Sequence, residues 1–179
     1  MSLVLDRDPV TTSDRASDPH VSVRRMTRAD QNALDDTFAG LSERSRFLRF
    51  HSATPRLTGR MRRALLDIDG ARHLAHVAEV AGPDGPRAIG IARVHDLGGG
   101  RAEVALEVVD AWHRRGVGSM LLRSISREAA RLGYVEVHAD VLPENRPMRR
   151  LLGEVFPDAV QDRGDGSLRI RDWAGATVR

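Results

Sequence analysis

The 179-residue sequence contains no cysteine, no lysine and only seven aromatic residues. Without thiols there is no disulfide framework and no thiolate nucleophile, which excludes zinc-finger, papain-like and thioredoxin-like chemistry. All 28 basic residues are arginine, so the chain carries no lysine ε-amine of its own to modify. A formal charge of +3 and a pI near 10.6 could suggest nucleic acid. The arginines, however, are interspersed with 25 acids, and few rings are available to stack on bases, so a nucleic-acid partner is not expected. No apolar run approaches the ~18 residues needed to cross a bilayer. The opening segment lacks the apolar centre of a secretion signal, so the expected location is cytoplasmic, with no membrane partner.

With 41% hydrophobic and 30% charged residues, the composition is that of one globular domain. Residues 1–20 are rich in Asp, Ser, Thr and Pro and read as a flexible arm, leaving 21–179 as a single domain. "VSVRRM" has a strand pattern, after which Thr27 and Asp30 are spaced to cap a helix carrying Leu34, Phe38 and Leu41. "SERSRFLRF" and then Leu57, Met61, Leu65 and Ile68 continue the helical spacing. From His73 the pattern becomes three strands with short turns, "HLAHVAEVA", "RAIGIARVHDL" and "RAEVALEVVD", which predicts an antiparallel meander. A helix follows from about Ser119, with Leu121, Leu122, Ile125, Ala129 and Leu132 on one face and Gly133 at its end. "VEVHADVL" is a strand, Asn145 to about Phe156 a helix, and "SLRIRDW" a closing strand. The strand–helix–strand order around Ser119 implies parallel pairing, so the expected fold is α/β (α+β), with a mixed central sheet of about six to seven strands flanked by helices.

"WHRRGVGSML" places two glycines and two arginines where a strand gives way to a helix. The first N–H groups of a helix lack internal acceptors and carry partial positive charge, so this arrangement suits phosphate. Gly116 and Gly118 keep the backbone bare, and Arg114 and Arg115 can add charge-assisted bonds. The segment is neither a P-loop nor a GxGxxG fingerprint. A tight strand-to-helix turn with no ligand is the competing reading.

"AEVALEVVDAWHRRGVGSMLL" resembles the acetyl-CoA signature of the GNAT acetyltransferase family, whose [Gln/Arg]-x-x-Gly-x-[Gly/Ala] turn grips pyrophosphate. His113, Arg114, Arg115, Gly116, Val117 and Gly118 occupy that turn, with His113 departing from the usual first residue, and Ser119 follows it. "VLPENRPMRRLLGEVF" is similar to the family's second CoA segment, in which Asn145 would open the helix lining the pantetheine arm. Its ending departs from the family's Gly-Phe, with Val155-Phe156 instead. "LSERSRFLRFHSA" resembles a segment of GNAT domains related to bacterial protein-lysine acetyltransferases, where Arg46 and Arg49 would lie near the acceptor entrance. Together the resemblances span residues 21 to 173.

They imply a GNAT fold using acetyl-CoA as cosubstrate, with no metal. Transfer to an amine needs a base, because an alkyl ammonium with a pKa near ~10.4 is mostly protonated at neutral pH. Glu103 matches the family's catalytic Glu in its lysine-modifying branch. Glu107, four residues along the same strand, should face the same side. Two carboxylates on one apolar face hinder each other's ionisation, a route to a base that works near neutrality. An arginine partner for Glu107 is the competing reading. The family's oxyanion donor, a backbone N–H where the fourth strand bulges, would fall at Val108 or Val109. Its leaving-group tyrosine is replaced by Leu152, and Tyr134 reads as core. His73 and His76, three apart on a strand, point to opposite faces and make no metal pair. The expected activity is N-acetylation of a primary amine, either a protein lysine or a small molecule such as an antibiotic or polyamine. A non-catalytic acyl-CoA sensor is the alternative. Acceptor, acyl-chain preference and oligomeric state are not set by these residues.

Overall fold

The computed structural model describes residues 20–157, 160–162, 164 and 167–171. All but the last residue of the expected arm, and Trp173, lie outside them. The elements run β1 (Val21–Arg25), α1 (Gln31–Ala39), α2 (Glu43–Phe50), α3 (Gly59–Leu66), β2 (His73–Gly82), β3 (Gly85–Gly98) and β4 (Arg101–Val108). A 3₁₀ turn (Asp110–Trp112), α4 (Val117–Arg131), β5 (Glu136–Asp140), α5 (Arg146–Val155), β6 (Val160–Asp162) and β7 (Ser167–Arg171) complete the order. The strands form one seven-stranded sheet, β1-β2-β3-β4-β5-β7-β6. β1 to β4 are antiparallel, and β4 with β5 is the parallel pair.

Helices cover both faces, which is why β2 over its first eight residues and β3 over its central seven are buried continuously rather than alternating. On one face Leu121, Leu122 and Ile125 of α4 pack with Val94, Val104, Phe156 and Ile170. On the other, Leu34 and Phe38 of α1 pack with Leu57, Val77 and Ile91. Each fully buried Leu or Ile contributes about 1.5–3 kcal/mol relative to exposure. α4 ends just before Gly133, as its sequence predicts, with the Gly133 N–H donating to Ala130 and the Tyr134 N–H reaching back to the Ala129 carbonyl. Leu132, however, expected on the apolar face, is the residue that closes the helix and is 47% exposed.

Three local expectations need correction. α1 starts at Gln31, not after Thr27, and Asp30 instead accepts from the Thr27 N–H and hydroxyl, closing the turn before the helix. α4 starts at Val117, two residues before Ser119, because Gly116 supplies its left-handed cap. The expected bulge near Val108 is not present: β3 and β4 stay in register from Asp96↔Ala102 to Gly90↔Val108. A gap opens instead because β4 and β5 pair only at Arg101↔Glu136, Ala102↔Val137 and Glu103↔His138.

Candidate active site

The gap between β4 and β5 widens into a cleft of about 1150 Å³, bounded by α2, the start of α4 and the start of α5. His113, Arg114, Gly116, Val117, Gly118, Ser119, Asn145, Glu103, Glu107 and Val108 all line it. Arg115 and Val109 do not. The Arg115 guanidinium lies over the Trp112 ring at 5.1 Å, and Val109 is buried with its N–H donating to the Ile89 carbonyl at 2.9 Å.

The turn into α4 is built from backbone. Arg114 and Gly116 both have left-handed φ, 58° and 78°. Such alternation curls successive N–H groups into a concave anion nest. Among the described residues, no protein acceptor is found for the N–H groups of residues 114 to 119. Gly116 is therefore required by its conformation, since a Cβ there would meet nothing within 4 Å. Gly118 packs closely on α5: a Cβ there would sit 2.8 Å from Leu151 Cδ2, and the end of that side chain would have to shift. His113 turns back on the strand, its Nε2 donating to the Val108 carbonyl at 2.8 Å. Asn145 caps α5, its side-chain oxygen accepting from the Met148 N–H at 3.3 Å.

The ladder separates the two positions expected to supply an oxyanion donor. Because Val109 bonds back to Ile89, the alternating antiparallel pattern directs the N–H and C=O of Val108 away from β3 and into the gap. The bond from His113 to the Val108 carbonyl agrees with that direction. Val108, not Val109, presents a donor to the cleft.

The two glutamates sit on one face of β4 in different settings. Glu107 is buried, with Oε2 accepting from Arg49 Nε at 2.6 Å and Oε1 3.4 Å from Arg93 Nε. The like-charge pair expected from sequence is thus replaced by an Arg–Glu–Arg cluster drawn from α2, β3 and β4. Arg93 also donates to the Leu65 carbonyl at 2.8 Å, and its burial lowers its own pKa. Glu103 is half-buried and, among the described residues, has no hydrogen bond or ion pair. In register it lies between His95 on β3 and His138 on β5.

Sequence reasoning missed Arg93, whose place beside Glu107 depends on strand register and has no local signal. It also missed Arg146 and Arg150, which line the cleft from α5. Leu152 is fully buried in the α4-side core, and Tyr134 donates its hydroxyl to the Ala71 carbonyl at 3.1 Å, away from the cleft. His73 and His76 face opposite sides, His73 bonding the Asp67 carbonyl and His76 bonding Ser124 and Glu128. A smaller hollow of about 300 Å³ between β1 and α4 contains this His76–Glu128–Arg25 cluster, whose polar groups satisfy one another. Among the described residues, no group of three metal-ligating side chains forms and no helix is long and apolar enough to cross a membrane.

A family model for the acetyltransferase (GNAT) family matches residues 43–155. The fold is similar to the GNAT domain of S. lividans PAT, at 29% identity and a TM-score of 0.72, covering 83% of this chain and 87% of that one. It also matches a putative phosphinothricin N-acetyltransferase at 18% identity and a TM-score of 0.65, covering 85% of this chain and 98% of that one. A cAMP-binding acyltransferase from Mycobacterium smegmatis matches at 22% identity and a TM-score of 0.57, covering 85% of this chain but 44% of that longer protein. The chain belongs to the GNAT acetyltransferase family and is a GNAT-type N-acetyltransferase, of a family whose cosubstrate is acetyl-CoA.

Proposed function

We propose that residues 21–179 form one acetyltransferase domain that transfers acetyl from acetyl-CoA to a protein lysine, with Glu103 as general base. The observation that carries this reading is the contrast on β4, where Glu107 is held by two arginines and Glu103 is left without a partner in the cleft. A base must be free to accept a proton, and of the two glutamates on β4 Glu103 meets that condition.

The cleft fits the cosubstrate. Pyrophosphate oxygens need N–H donors, and the stretch 114–119 offers backbone N–H groups with no protein acceptor, supported by Arg114. Asn145 fixes the start of α5 along the same cleft. Acetyl-CoA, when bound, supplies an acetyl group activated as a thioester. Glu103 accepts the amine proton as the C–N bond forms, and the Val108 N–H faces the developing negative charge on the acyl oxygen. No tyrosine lines the cleft among the described residues, so the proton for the leaving sulfur is assigned to solvent. The protein-lysine acceptor rests on the "LSERSRFLRF" segment and on the likeness to the S. lividans domain.

Turnover of acetyl-CoA against proteins, peptides and small amines, with wild type and Glu103→Gln, tests this reading. Lysine acetylation by wild type, with the rate falling in Glu103→Gln, supports it. Turnover on small amines alone would replace the acceptor. Tight acetyl-CoA binding with no transfer would favour an acyl-CoA sensor.

A further inference from the structure

Charge is distributed unevenly along this chain. Between Glu43 and Arg63 there are seven arginines and one acid, whereas the rest of the chain has 21 arginines against 24 acids. The basic segment comprises α2, α3 and their connection, and α2 forms one wall of the cleft through Ser45, Leu48 and Arg49.

Three of the seven arginines are engaged within the fold. Arg49 pairs with Glu107 and Arg62 with Asp35. Arg46 lies over the Phe38 ring and donates to the carbonyls of Phe38 and Pro55. Arg44, Arg56, Arg60 and Arg63 are exposed and, among the described residues, have no acidic partner. Neither α2 nor α3 buries any residue fully, and Phe47 of α2 is 37% exposed. The segment thus exposes four arginines without an acidic partner and one ring, groups the fold itself does not use.

The cleft also holds carboxylates that no arginine neutralises. Glu103 has no counter-charge, and Asp140 stands exposed at the end of β5. A basic segment whose first helix walls a cleft holding unpaired carboxylates is complementary to a cation flanked by anions. We propose that α2 and α3 dock a protein segment whose target lysine is flanked by acidic side chains. At 1.5 Å per residue, two helices of eight residues each extend about 12 Å. A small amine held in the cleft does not reach along that length, and a polycation such as a polyamine is repelled by it. Nucleic acid would be attracted by the charge but has no alkyl amine for Glu103 to deprotonate.

This proposal rests on the acetyl-transfer reading above, and the test separates the two. Peptides with one central lysine and blocked N-termini, flanked by aspartates, serines or arginines, are assayed for acetylation and, by fluorescence anisotropy, for binding. At low salt kcat/KM should favour the aspartate peptide over the serine peptide by about tenfold, and the arginine peptide should be poorest. The preference should shrink as ionic strength rises from about 0.01 M to 0.15 M, where the Debye length falls from about 30 Å to 8 Å. Arg60→Glu with Arg63→Glu should erase the preference while acetyl-CoA affinity stays as in wild type. Acetylation of all three peptides at equal rates, or an arginine preference, overturns the proposal and leaves the enzyme assignment intact. If no peptide is acetylated, the lysine reading fails, and anisotropy still decides the docking: tighter binding of the aspartate peptide supports it, equal binding overturns it. A single-stranded oligonucleotide that outcompetes the aspartate peptide would assign the surface to nucleic acid.

Discussion

The wall of the cleft that carries the turn into α4 is continuous in sequence, from Val108 to Ser119, and its chemistry resides mainly in the backbone. The opposite wall is assembled from side chains far apart in sequence, with Arg49 meeting Glu107 across 58 positions and Arg93 reaching the same carboxylate from β3. A backbone site depends on a few φ values and survives most side-chain changes. A side-chain cluster depends on every charge being matched. The two walls should therefore fail differently when mutated, and the two glutamates of β4 are the sharpest place to see it.

The largest expected effect is kinetic. Glu103→Gln should lower the rate at neutral pH by about 10²- to 10⁴-fold. Stability should stay within about 0.5 kcal/mol, because Glu103 has no partner to lose. The rate deficit should narrow as pH rises towards the acceptor amine's own pKa, where the substrate arrives neutral. Equal rates under rate-limiting chemistry would remove Glu103 as the base.

Glu107→Gln should do the reverse. Removing this charge leaves two guanidiniums facing each other, one of them buried, and breaking a buried pair from one side costs about 3–5 kcal/mol. Urea denaturation measures it. A variant as stable as wild type would show that Arg49 and Arg93 do not depend on Glu107, and the contrast between the walls would weaken.

A smaller effect tests the sheet behind the cleft. Burial holds the pKa values of His76 and His73 below the usual histidine value, despite the hydrogen bonds to Glu128 and Asp67. The unfolded chain, with histidines near ~6.5, then binds protons that the folded chain refuses, so stability falls as pH drops below about 6.5. Unfolding free energies between about pH 7.5 and about pH 5 should show this slope, and His76→Gln should flatten it. A slope unchanged in the variant would place the proton uptake elsewhere.

The same contrast explains what was legible from sequence. The meander, the α4 pattern with its Gly133 end and the Gly116 turn are local, and each could be read from spacing. The capping of α1 could not, because Thr27 and Asp30 fit two arrangements and the structure takes the one that closes the turn before the helix. The choice of Val108 over Val109 depends on which ladder positions bond to β3, a property of register rather than of residue type. Arg93 was invisible because it lies within an apolar strand and acquires its partner only when β3 pairs with β4. Arg115 had the right charge in the right motif, but the Trp112 ring draws it aside.

The central claim is that the backbone from residue 114 to 119 holds the pyrophosphate of acetyl-CoA, and it is tested most directly by calorimetric titration of acetyl-CoA into wild type and Gly116→Asp. Aspartate tolerates left-handed φ better than most residues, so the fold should persist, as circular dichroism can verify, while a negative charge enters the nest. Wild type should bind at one site and gain about 2.7 kcal/mol of apparent stability at a hundredfold excess over Kd. Gly116→Asp should lose both the binding and the gain. Folded Gly116→Asp that binds acetyl-CoA with wild-type affinity would contradict the claim.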